Sequence, residues 1–565
     1  MSFRKTDLSI LLMALMLGVV AFLTVYPLGM IVYGSLRSAA PGAPGFFTLD
    51  GYRLAFTDPT IGKALLTTFW LGLARTVIST ILAIFFCWVL VRTDMPGKGI
   101  MEFFFWVNFF LPILPMTMGW ILLLDGSYGL INVAILKIFP FLTHGPFSVH
   151  SYGGIIWAHL AYSVSVRVLI LAPAFRNMDP ALEEAGRMSG FGNLGTLLRI
   201  TLPLLMPAIV GSTFLGFIKS LESFEVELLL GMPAKIFVYS TKVYDMLRWE
   251  PPQYPPAMAL SMVFMLFVFG LVFFNRWIIT RRHYTTVSGK AFRVAPIHVG
   301  PWRWVLLAVC VLYLVVFTLT PFTLLFLGTF MKIAGMFSLP DPYTLEHWKD
   351  VLNDPLFFRS LINSLVLGGG AALVGAFFYS LISYLSLRTR LAGRSALDFM
   401  TWLPWAVPGL LLSVGLLWVV LGSFGLLVPL YGTLQILIIA VVINQMPVGV
   451  RIMDGTMVQI GRELEESARV SGASWLYSFR RVLMPLLSPT FTATAIIIFL
   501  SALREISLVV LLYSPKWRVL SILMLEHWIG QSSEKGMVVG LIITLLSLIV
   551  AVAAKCMGMK LALAE

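Results

Sequence analysis

The chain has 565 residues, of which 59% are hydrophobic and 12% are charged. Soluble domains carry roughly 25% charged residues, so this composition excludes an ordinary soluble enzyme and indicates an integral membrane protein. The formal net charge of +13 would also suit a protein that binds nucleic acid. In a membrane protein, however, basic residues gather in cytoplasmic loops, and we therefore expect no nucleic-acid partner.

Apolar segments follow one another along the whole chain. A helix that crosses a bilayer needs about 20 predominantly apolar residues, and we count twelve candidate spans. The first six cover residues 9–36, 64–91, 100–124, 152–175, 204–230 and 255–279. The second six cover residues 304–330, 360–387, 397–421, 433–453, 489–512 and 536–558. The sequence therefore predicts an all-α integral membrane protein with about 12 transmembrane helices.

The basic residues between these segments predict the orientation of the chain. They cluster in alternate loops, at residues 92–98, 176–199, 281–303, 388–394 and 451–481, and in the tail that holds Lys555 and Lys560. Loops rich in lysine and arginine stay on the cytoplasmic side of a membrane. We therefore expect a multi-pass protein with both termini in the cytoplasm.

A polar insert occurs twice, once in each half of the chain. Its copies are residues 183–190, Glu-Glu-Ala-Gly-Arg-Met-Ser-Gly, and residues 465–472, Glu-Glu-Ser-Ala-Arg-Val-Ser-Gly. The offset of 282 residues also holds for two later prolines, Pro203 and Pro485. Each half has six spans, which predicts two parallel six-helix repeats related by an axis along the membrane normal. The expected domains are residues 1–280 and 304–565, joined by a cytoplasmic linker of residues 281–303.

The residues of the first insert predict a short helix, a glycine break and a second short helix. Asp179 suits the N-cap and precedes a proline that fits the first turn. Gly190 and Gly472 suit the left-handed residue that ends such a helix. We expect Pro203 to break the chain before the next span. The small residues of the inserts would let a partner backbone approach closely; they are Ala185, Gly186, Ser467 and Ala468. Either copy alone would fit an ordinary surface hairpin, but the repetition favours a shared function.

The inserts resemble the EAA loops of permeases of type I ABC importers. The resemblance implies that each loop is a coupling helix for an ATPase, through Glu183, Glu184, Ala185, Gly186, Gly190, Glu465, Glu466, Ser467, Ala468 and Gly472. It implies two copies of a cytoplasmic ABC ATPase and a periplasmic or extracellular solute-binding protein as partners, besides membrane lipid. One chain supplies both loops, so no second permease chain is required. The implied location is the inner (plasma) membrane of a bacterium.

Sequence motifs also bear on enzymatic activity. No Gly-x-x-x-x-Gly-Lys-Ser/Thr loop occurs in the chain, and the seven histidines lack zinc-protease spacing. We therefore expect a transport subunit and not an enzyme, with no cofactor of its own and with ATP bound by the partner ATPase.

The fused twelve-span arrangement is similar to the ferric-iron permease subfamily, notably at residues 388–394 and 403–409. Fused permeases for thiamine and for 2-aminoethylphosphonate look similar too. Ferric iron is the expected solute, and these two organic solutes stay open as alternatives.

Polar residues inside or beside the spans are candidates for the solute pathway, because charge in a membrane is costly and usually functional. The candidates are Glu222, Glu225, Arg167, Asn444, Gln445 and Glu505. A carboxylate cluster could meet a hard cation such as Fe³⁺, although the sequence leaves any metal ligands unknown. In the alternative interpretation, Lys219 or Arg504 simply neutralises these acids, as paired charges in membranes do.

Two other protein classes fit parts of the pattern. An ion-coupled secondary transporter also has twelve spans in two related halves, but it needs titratable residues near the membrane centre. Here the acids lie toward the outer ends of the spans. A channel or scaffold subunit without a transport cycle is the second alternative.

Overall fold

The computed structural model describes residues 3–281, 296–422 and 425–556 of the chain. Over these residues the protein is built from α-helices, with three isolated β-bridges and no longer strand. The predicted fold class, an all-α membrane protein, is therefore confirmed.

The part of the chain before the predicted linker contains twelve α-helices. They are α1 (Phe3–Ser35), α2 (Asp50–Thr57), α3 (Pro59–Cys87), α4 (Lys98–Phe110), α5 (Ile113–Leu124), α6 (Leu130–Ile138), α7 (Tyr152–Arg176), α8 (Pro180–Met188), α9 (Asn193–Thr196), α10 (Leu202–Leu221), α11 (Tyr239–Arg248) and α12 (Tyr254–Arg281). A π-helical turn, Trp88–Arg92, extends α3, and another, Leu197–Thr201, joins α9 to α10.

Nearly the same order of helices occurs again after the linker. The helices are α13 (Trp302–Leu314), α14 (Thr320–Gly328), α15 (Glu346–Asn353), α16 (Pro355–Arg388), α17 (Arg394–Trp402), α18 (Gly409–Gly422), α19 (Leu434–Gln459), α20 (Arg462–Val470), α21 (Trp475–Ser478), α22 (Met484–Arg504), α23 (Leu520–Ile529) and α24 (Ser533–Cys556). Most of the predicted linker, residues 282–295, lies outside the described residues, so the domain boundaries stay a prediction.

Ten helical segments among the described residues are long and apolar enough to cross a membrane. The other two predicted spans, residues 100–124 and 397–421, are pairs of helices bent by 101° and 113°. Pro112 and Pro408 follow residues with extended backbone, Leu111 and Val407, at the two bends. Proline lacks an amide hydrogen and disfavours a helical residue before it, which accounts for the extended residue at each bend. Other prolines, such as Pro27 and Pro447, lie inside continuous spans.

The first span of each predicted repeat packs against the broken span of the other one. α1 lies on α17 and α18, and α14 lies on α5. A methyl group added at Gly119 would lie 2.0 Å from the carbonyl oxygen of Pro321, and one at Gly415 would lie 2.9 Å from that of Pro27. Only glycine permits these close crossings. The two repeats are therefore held together by an exchange of their first helices.

Candidate functional site

The first insert folds as the sequence predicts up to its glycine. The carboxylate of Asp179 accepts a hydrogen bond from the Ala181 amide at 2.9 Å and caps α8. The helix ends at Ser189, and Gly190 adopts the left-handed conformation with φ of 89°. Two residues separate Gly190 from the start of α9. The chain thus forms a helical hairpin that projects from the end of α7.

The second insert forms the same helical hairpin, but its first helix lacks a side-chain N-cap. α20 begins after Gly461, which offers no side chain to cap it. Gly472 has a φ of 87° and follows the end of α20 as Gly190 follows the end of α8. Residues 282 positions apart therefore have the same backbone role in the two inserts.

The predicted break at Pro203 is wrong. Residues 193–221 form one continuous helical segment, and residues 475–504 form its counterpart. A five-residue π-helical turn precedes each proline, at Leu197–Thr201 and at Phe479–Leu483. Because proline has no amide hydrogen, it interrupts the regular ladder, and the wider π-turn takes up this defect without ending the helix. The two hairpins are therefore continuous with the spans α10 and α22.

One glutamate of each pair is buried and ties the hairpin to the spans. The Glu183 carboxylate accepts a hydrogen bond from Thr201 Oγ1 at 2.6 Å and lies 3.6 Å from Arg92 Nη1. The Glu465 carboxylate accepts from the Tyr384 hydroxyl at 2.6 Å and from Arg469 Nη2 at 2.8 Å. Arg92 and Tyr384 belong to the last turns of the α3 and α16 spans. Glu183 and Glu465 therefore connect each hairpin to the spans through contacts inside the chain.

A second tie joins the same spans to the start of each hairpin. Arg92 Nη2 donates to the carbonyl oxygen of Met178 at 2.9 Å. Arg388, which stands 296 positions later, donates to the carbonyl oxygen of Ile460, the residue 282 positions after Met178. Arg92 and Arg388 therefore hold the start of the two hairpins in the same way.

The opposite face of each hairpin is exposed and partly apolar. Glu184 and Glu466 point outward. Met188 is 91% exposed and Val470, its counterpart, is 89% exposed. Two further pairs of exposed leucines share the offset of 282: Leu182 with Leu464, and Leu194 with Leu476. We call these four residues on each hairpin (182, 184, 188 and 194, or 464, 466, 470 and 476) the hairpin patch.

The small residues of the inserts have different surroundings. Ala185 and Ser467 are exposed. Gly186 is buried, and a methyl group added to it would lie 2.2 Å from Cδ1 of Ile200. Ala468, its counterpart, is half-buried. Gly186 thus packs against the chain itself, and its predicted role as a contact for a partner stays a prediction.

The end of the predicted linker returns to the first hairpin. Ile297 is buried, its amide donates to the Arg92 carbonyl at 2.7 Å, and its carbonyl accepts from the Asp94 amide at 3.1 Å. The pKa of Asp94 is lowered, because its carboxylate accepts hydrogen bonds from the Val299 amide and from His298. The linker therefore ends beside Arg92, the residue that holds the first hairpin.

Of the three acidic pathway candidates, only Glu222 forms an ion pair with one of the two cations named in the alternative interpretation. Lys219 pairs with Glu222 at 2.8 Å. Glu505 accepts from the hydroxyl of Ser507 and from the Leu508 amide. Glu225 is half-buried and has no hydrogen bond or ion pair within the described part of the chain, although Glu505 and Arg504 lie close enough for their charges to act on it.

Arg504, the other cation proposed to neutralise the acids, makes its contacts with different groups. Arg504 Nη1 donates to the Phe109 carbonyl at 3.0 Å, and its guanidinium lies over the rings of Phe109 and Tyr162. It therefore links the end of α22 to α4 and α7. Within the described ranges, no group of three or more His, Cys, Asp or Glu side chains could hold a metal ion.

The three mid-span candidates lie on two helices, Arg167 on α7 and the other two on α19. Arg167 is buried, donates to the Ser163 carbonyl at 3.0 Å and packs against Gly216. Asn444 and Gln445 are half-buried in α19 and have no hydrogen-bond partner among residues 3–281, 296–422 and 425–556. Their role in a pathway stays a prediction.

A buried charge network just beyond the C-terminal end of α10 was absent from the predicted site. Arg75 Nη1 lies 2.8 Å from Glu227 Oε1, and His159 Nε2 lies 3.3 Å from the same oxygen. Ser223 donates to the other carboxylate oxygen at 2.5 Å. Arg75 and His159 interrupt apolar spans, and this signal alone could have identified them, because ionisable residues in membrane spans are functional candidates by default.

Known proteins resemble the chain over most of its length. Residues 371–557 match the model of the family described as binding-protein-dependent transport system inner membrane component. The chain is 27% identical over 471 residues to a putative ferric transport system permease protein, FbpB 1, of Haemophilus influenzae, covering 81% of this chain and 71% of the relative. It is also 27% identical over 501 residues to the probable ABC transporter permease protein y4fN of Sinorhizobium fredii, covering 86% and 85%.

A further relative supports the family assignment at higher identity. The molybdenum transport system permease protein ModB of Escherichia coli is 31% identical over 172 residues, which cover 30% of this chain and 72% of the relative. These relatives are transport permeases, and the bundle of membrane-spanning helices agrees with them. The chain therefore belongs to the family of binding-protein-dependent transport system inner membrane components, the permease subunits of ABC importers.

Proposed function

We propose that this chain is the membrane-spanning subunit of an ATP-driven importer in a bacterial inner membrane, and that its two hairpins dock on two copies of a separate ATPase. The observation that carries the proposal is the pair of hairpin patches. Each patch combines exposed apolar side chains with an exposed glutamate, at an offset of 282 residues. Exposed apolar patches with a polar surround are typical of protein interfaces.

The anchors of each hairpin suit the transmission of force. Closure of an ATPase dimer would draw the two hairpins together. Because Glu183 and Glu465 connect each hairpin to the ends of α3 and α16, a displacement of the hairpin would move a transmembrane helix with it. Rigid-body rocking of one repeat against the other would then expose the pathway to alternate sides.

The remaining parts of the proposal concern the outer side. A solute-binding protein would deliver the solute there, as the family name implies. Both termini would lie in the cytoplasm, and no second permease chain would be needed, since one chain supplies both hairpins. The proposed pathway passes Glu222, Glu225 and Glu505 and then Arg167, Asn444 and Gln445.

Ferric iron is the solute that we propose first. Two of the relatives with the longest matches are named as ferric transport permeases. Glu225 has no partner within the described residues and feels the charge of Glu505, and carboxylate oxygens suit a hard cation. A molybdenum-containing solute is a second candidate, because the permease ModB is 31% identical over its matched part.

Reconstitution tests the proposal. The chain is placed in proteoliposomes with its ATPase and its binding protein, and uptake of radioactive ferric iron is measured with and without ATP. We expect uptake that needs ATP and a purified complex whose mass equals one permease chain plus two ATPase subunits. Uptake driven by a proton gradient without ATP would contradict the importer class. ATP-driven uptake of molybdate, thiamine or 2-aminoethylphosphonate, with no uptake of iron, would contradict the solute only.

A further inference from the structure

An apolar groove on the surface of the helix bundle is lined by residues that belong to neither hairpin. Its volume is about 300 Å³. It is formed by one face of α4 from Met101 to Leu111, by the segment from α13 to α14, and by Leu548 of α24. Phe104, Val315 and Leu319 line it and are 40%, 40% and 56% exposed. In a membrane-spanning chain, apolar side chains exposed in this way face lipid, so the groove is open to an acyl chain.

The groove lies where α13 packs on the first repeat less tightly than α1 packs at the equivalent place on the second repeat. Gly97 and Gly393 are equivalent residues, 296 positions apart, and both are left-handed. A methyl group added at Gly393 would lie 2.6 Å from Leu17 of α1, whereas one at Gly97 would lie 3.9 Å from Leu307 of α13. At this position α1 therefore packs tightly on the second repeat, whereas α13 makes only an ordinary contact with the first repeat and leaves more room there.

The groove reaches the depth of one leaflet. Met101 and Leu111 are ten residues apart on and just beyond α4, which corresponds to a length of about 15 Å along a helix. This is about half of the ~30 Å hydrocarbon core of a bilayer. A single lipid acyl chain matches this length.

One end of the groove is basic. Lys555 follows Leu548 by seven residues, or two helical turns, and therefore stands below it on the same face of α24. Its Nζ atom lies 3.8 Å from the centre of the Phe103 ring and 5.8 Å from that of Trp106, beside the groove. Lys98 precedes Met101 by about one turn of α4, and Arg303, at the start of α13, is exposed.

The acidic side chains near the basic end of the groove already have partners within the chain. Glu102 pairs with Arg176, and Asp94 bonds to Val299 and His298. Asp94 lies close enough to Lys98 for its charge to act on it, whereas Lys555 and Arg303 form no ion pair within the described residues. This end of the groove therefore offers net positive charge to the phosphate of a lipid. An ammonium group on an aromatic surface keeps its charge available to an anion on its other side.

We propose that this groove binds an anionic phospholipid, with one acyl chain between α4, α13–α14 and α24 and its phosphate at Lys555, Lys98 and Arg303. By the predicted orientation, the lipid belongs to the cytoplasmic leaflet. The site is independent of the hairpins and of the transported solute.

Native mass spectrometry of the full chain tests the site. The purified protein is titrated with phosphatidylglycerol or phosphatidylcholine of identical acyl chains. We expect tighter binding of the first bound phosphatidylglycerol, a preference that Lys555→Glu reduces by about fivefold, the usual effect of one basic residue at an anionic surface. Val315→Trp fills the groove with an indole ring and should remove the first site for both lipids.

Two controls separate this groove from general lipid contact. Leu373→Trp places the same ring on a lipid-exposed position of α16, and Arg390→Glu reverses an exposed charge beside the other broken span. Both should bind as the unmodified chain does. Leu319→Trp repeats the test of the groove if Val315→Trp does not fold. Equal affinity for the two lipids, or unchanged binding in both tryptophan variants of the groove, would overturn the proposal.

Discussion

Arg92 Nη1 lies 3.6 Å from Glu183 Oε2, and both side chains are buried. The arginine also holds the Met178 carbonyl at the entrance of the first hairpin. One buried side chain therefore connects the end of the α3 span both to the start of the hairpin and to its first glutamate. This arrangement makes the hairpin a rigid extension of the span.

We expect Glu183→Ala to destabilise the protein, because it leaves the buried Arg92 charge without its acid. Breaking a buried ion pair from one side costs about 3–5 kcal/mol. The free energy of unfolding in detergent measures this loss. The matched control is Glu184→Ala, which removes the neighbouring exposed acid and should change stability little. The double variant Arg92→Met with Glu183→Met should recover most of the loss, and a double variant as unstable as Glu183→Ala would contradict the pairing.

The left-handed glycine between the two helices of each hairpin should be sensitive to substitution because of its backbone conformation. Gly190 has a φ of 89° and has open space around its α-carbon, so valine would be strained and not crowded. Such strain costs about 1–3 kcal/mol for a β-branched residue in this region. Gly190→Val should therefore distort the hairpin and lower ATP-driven uptake.

Gly192 offers the matched control for this substitution. It too has open space around it, but its φ of −70° is accessible to any residue. Gly192→Val should transport at nearly the rate of the unmodified chain. Equal loss of uptake in the two variants would show that the left-handed backbone is not the cause.

The hairpin patch should govern affinity for the ATPase. Met188→Asp and Val470→Asp place a charge on the most exposed apolar residues of the two patches. Burying an unpaired carboxylate in an interface is unfavourable, and we expect the Kd to rise by at least about tenfold, or about 1.4 kcal/mol. Binding of purified ATPase to the chain in nanodiscs measures it. Val458→Asp, an exposed valine that precedes the second hairpin, is the control and should bind normally.

Much of this arrangement could be predicted from the sequence. The number of helical segments, the glycine breaks and the repetition at 282 residues all follow from local patterns. The sequence could not tell which glutamate of each pair is buried, because adjacent helical residues differ in direction by only about 100° and the phase depends on neighbours such as Thr201 and Tyr384. The continuity of the helix through Pro203 was missed because the π-turn that accommodates it has no clear sequence signal.

The buried network around Glu227 also depends on contacts that local patterns do not reveal. Arg75 precedes Glu227 by 152 residues, and only the packing of α3 against α10 and α7 brings them together. Glu227→Ala should lower the free energy of unfolding by about 3–5 kcal/mol. Replacement of Arg75 and Glu227 together by methionine should restore most of it, as measured by unfolding in detergent. Independent, additive losses in the two single variants would contradict the network.

The outer acids should affect the solute and not the motor. Glu225→Gln together with Glu505→Gln removes two carboxylates whose charges act on each other. If ferric iron passes between them, uptake should fall by about tenfold, or about 1.4 kcal/mol, while affinity for the ATPase stays the same. Asp341→Asn, at an exposed acid outside the cluster, should transport normally. Unchanged iron uptake in the double variant would remove these residues from the pathway.

ATP-driven uptake by proteoliposomes that contain the double variant Gly190→Val and Gly472→Val tests coupling through the two hairpins most directly. Uptake and ATP hydrolysis are measured in the same vesicles, with Gly192→Val as the reference. We predict that uptake is lost while the ATPase still hydrolyses ATP, because the motor no longer moves the spans. Uptake at the rate of the reference would contradict the account.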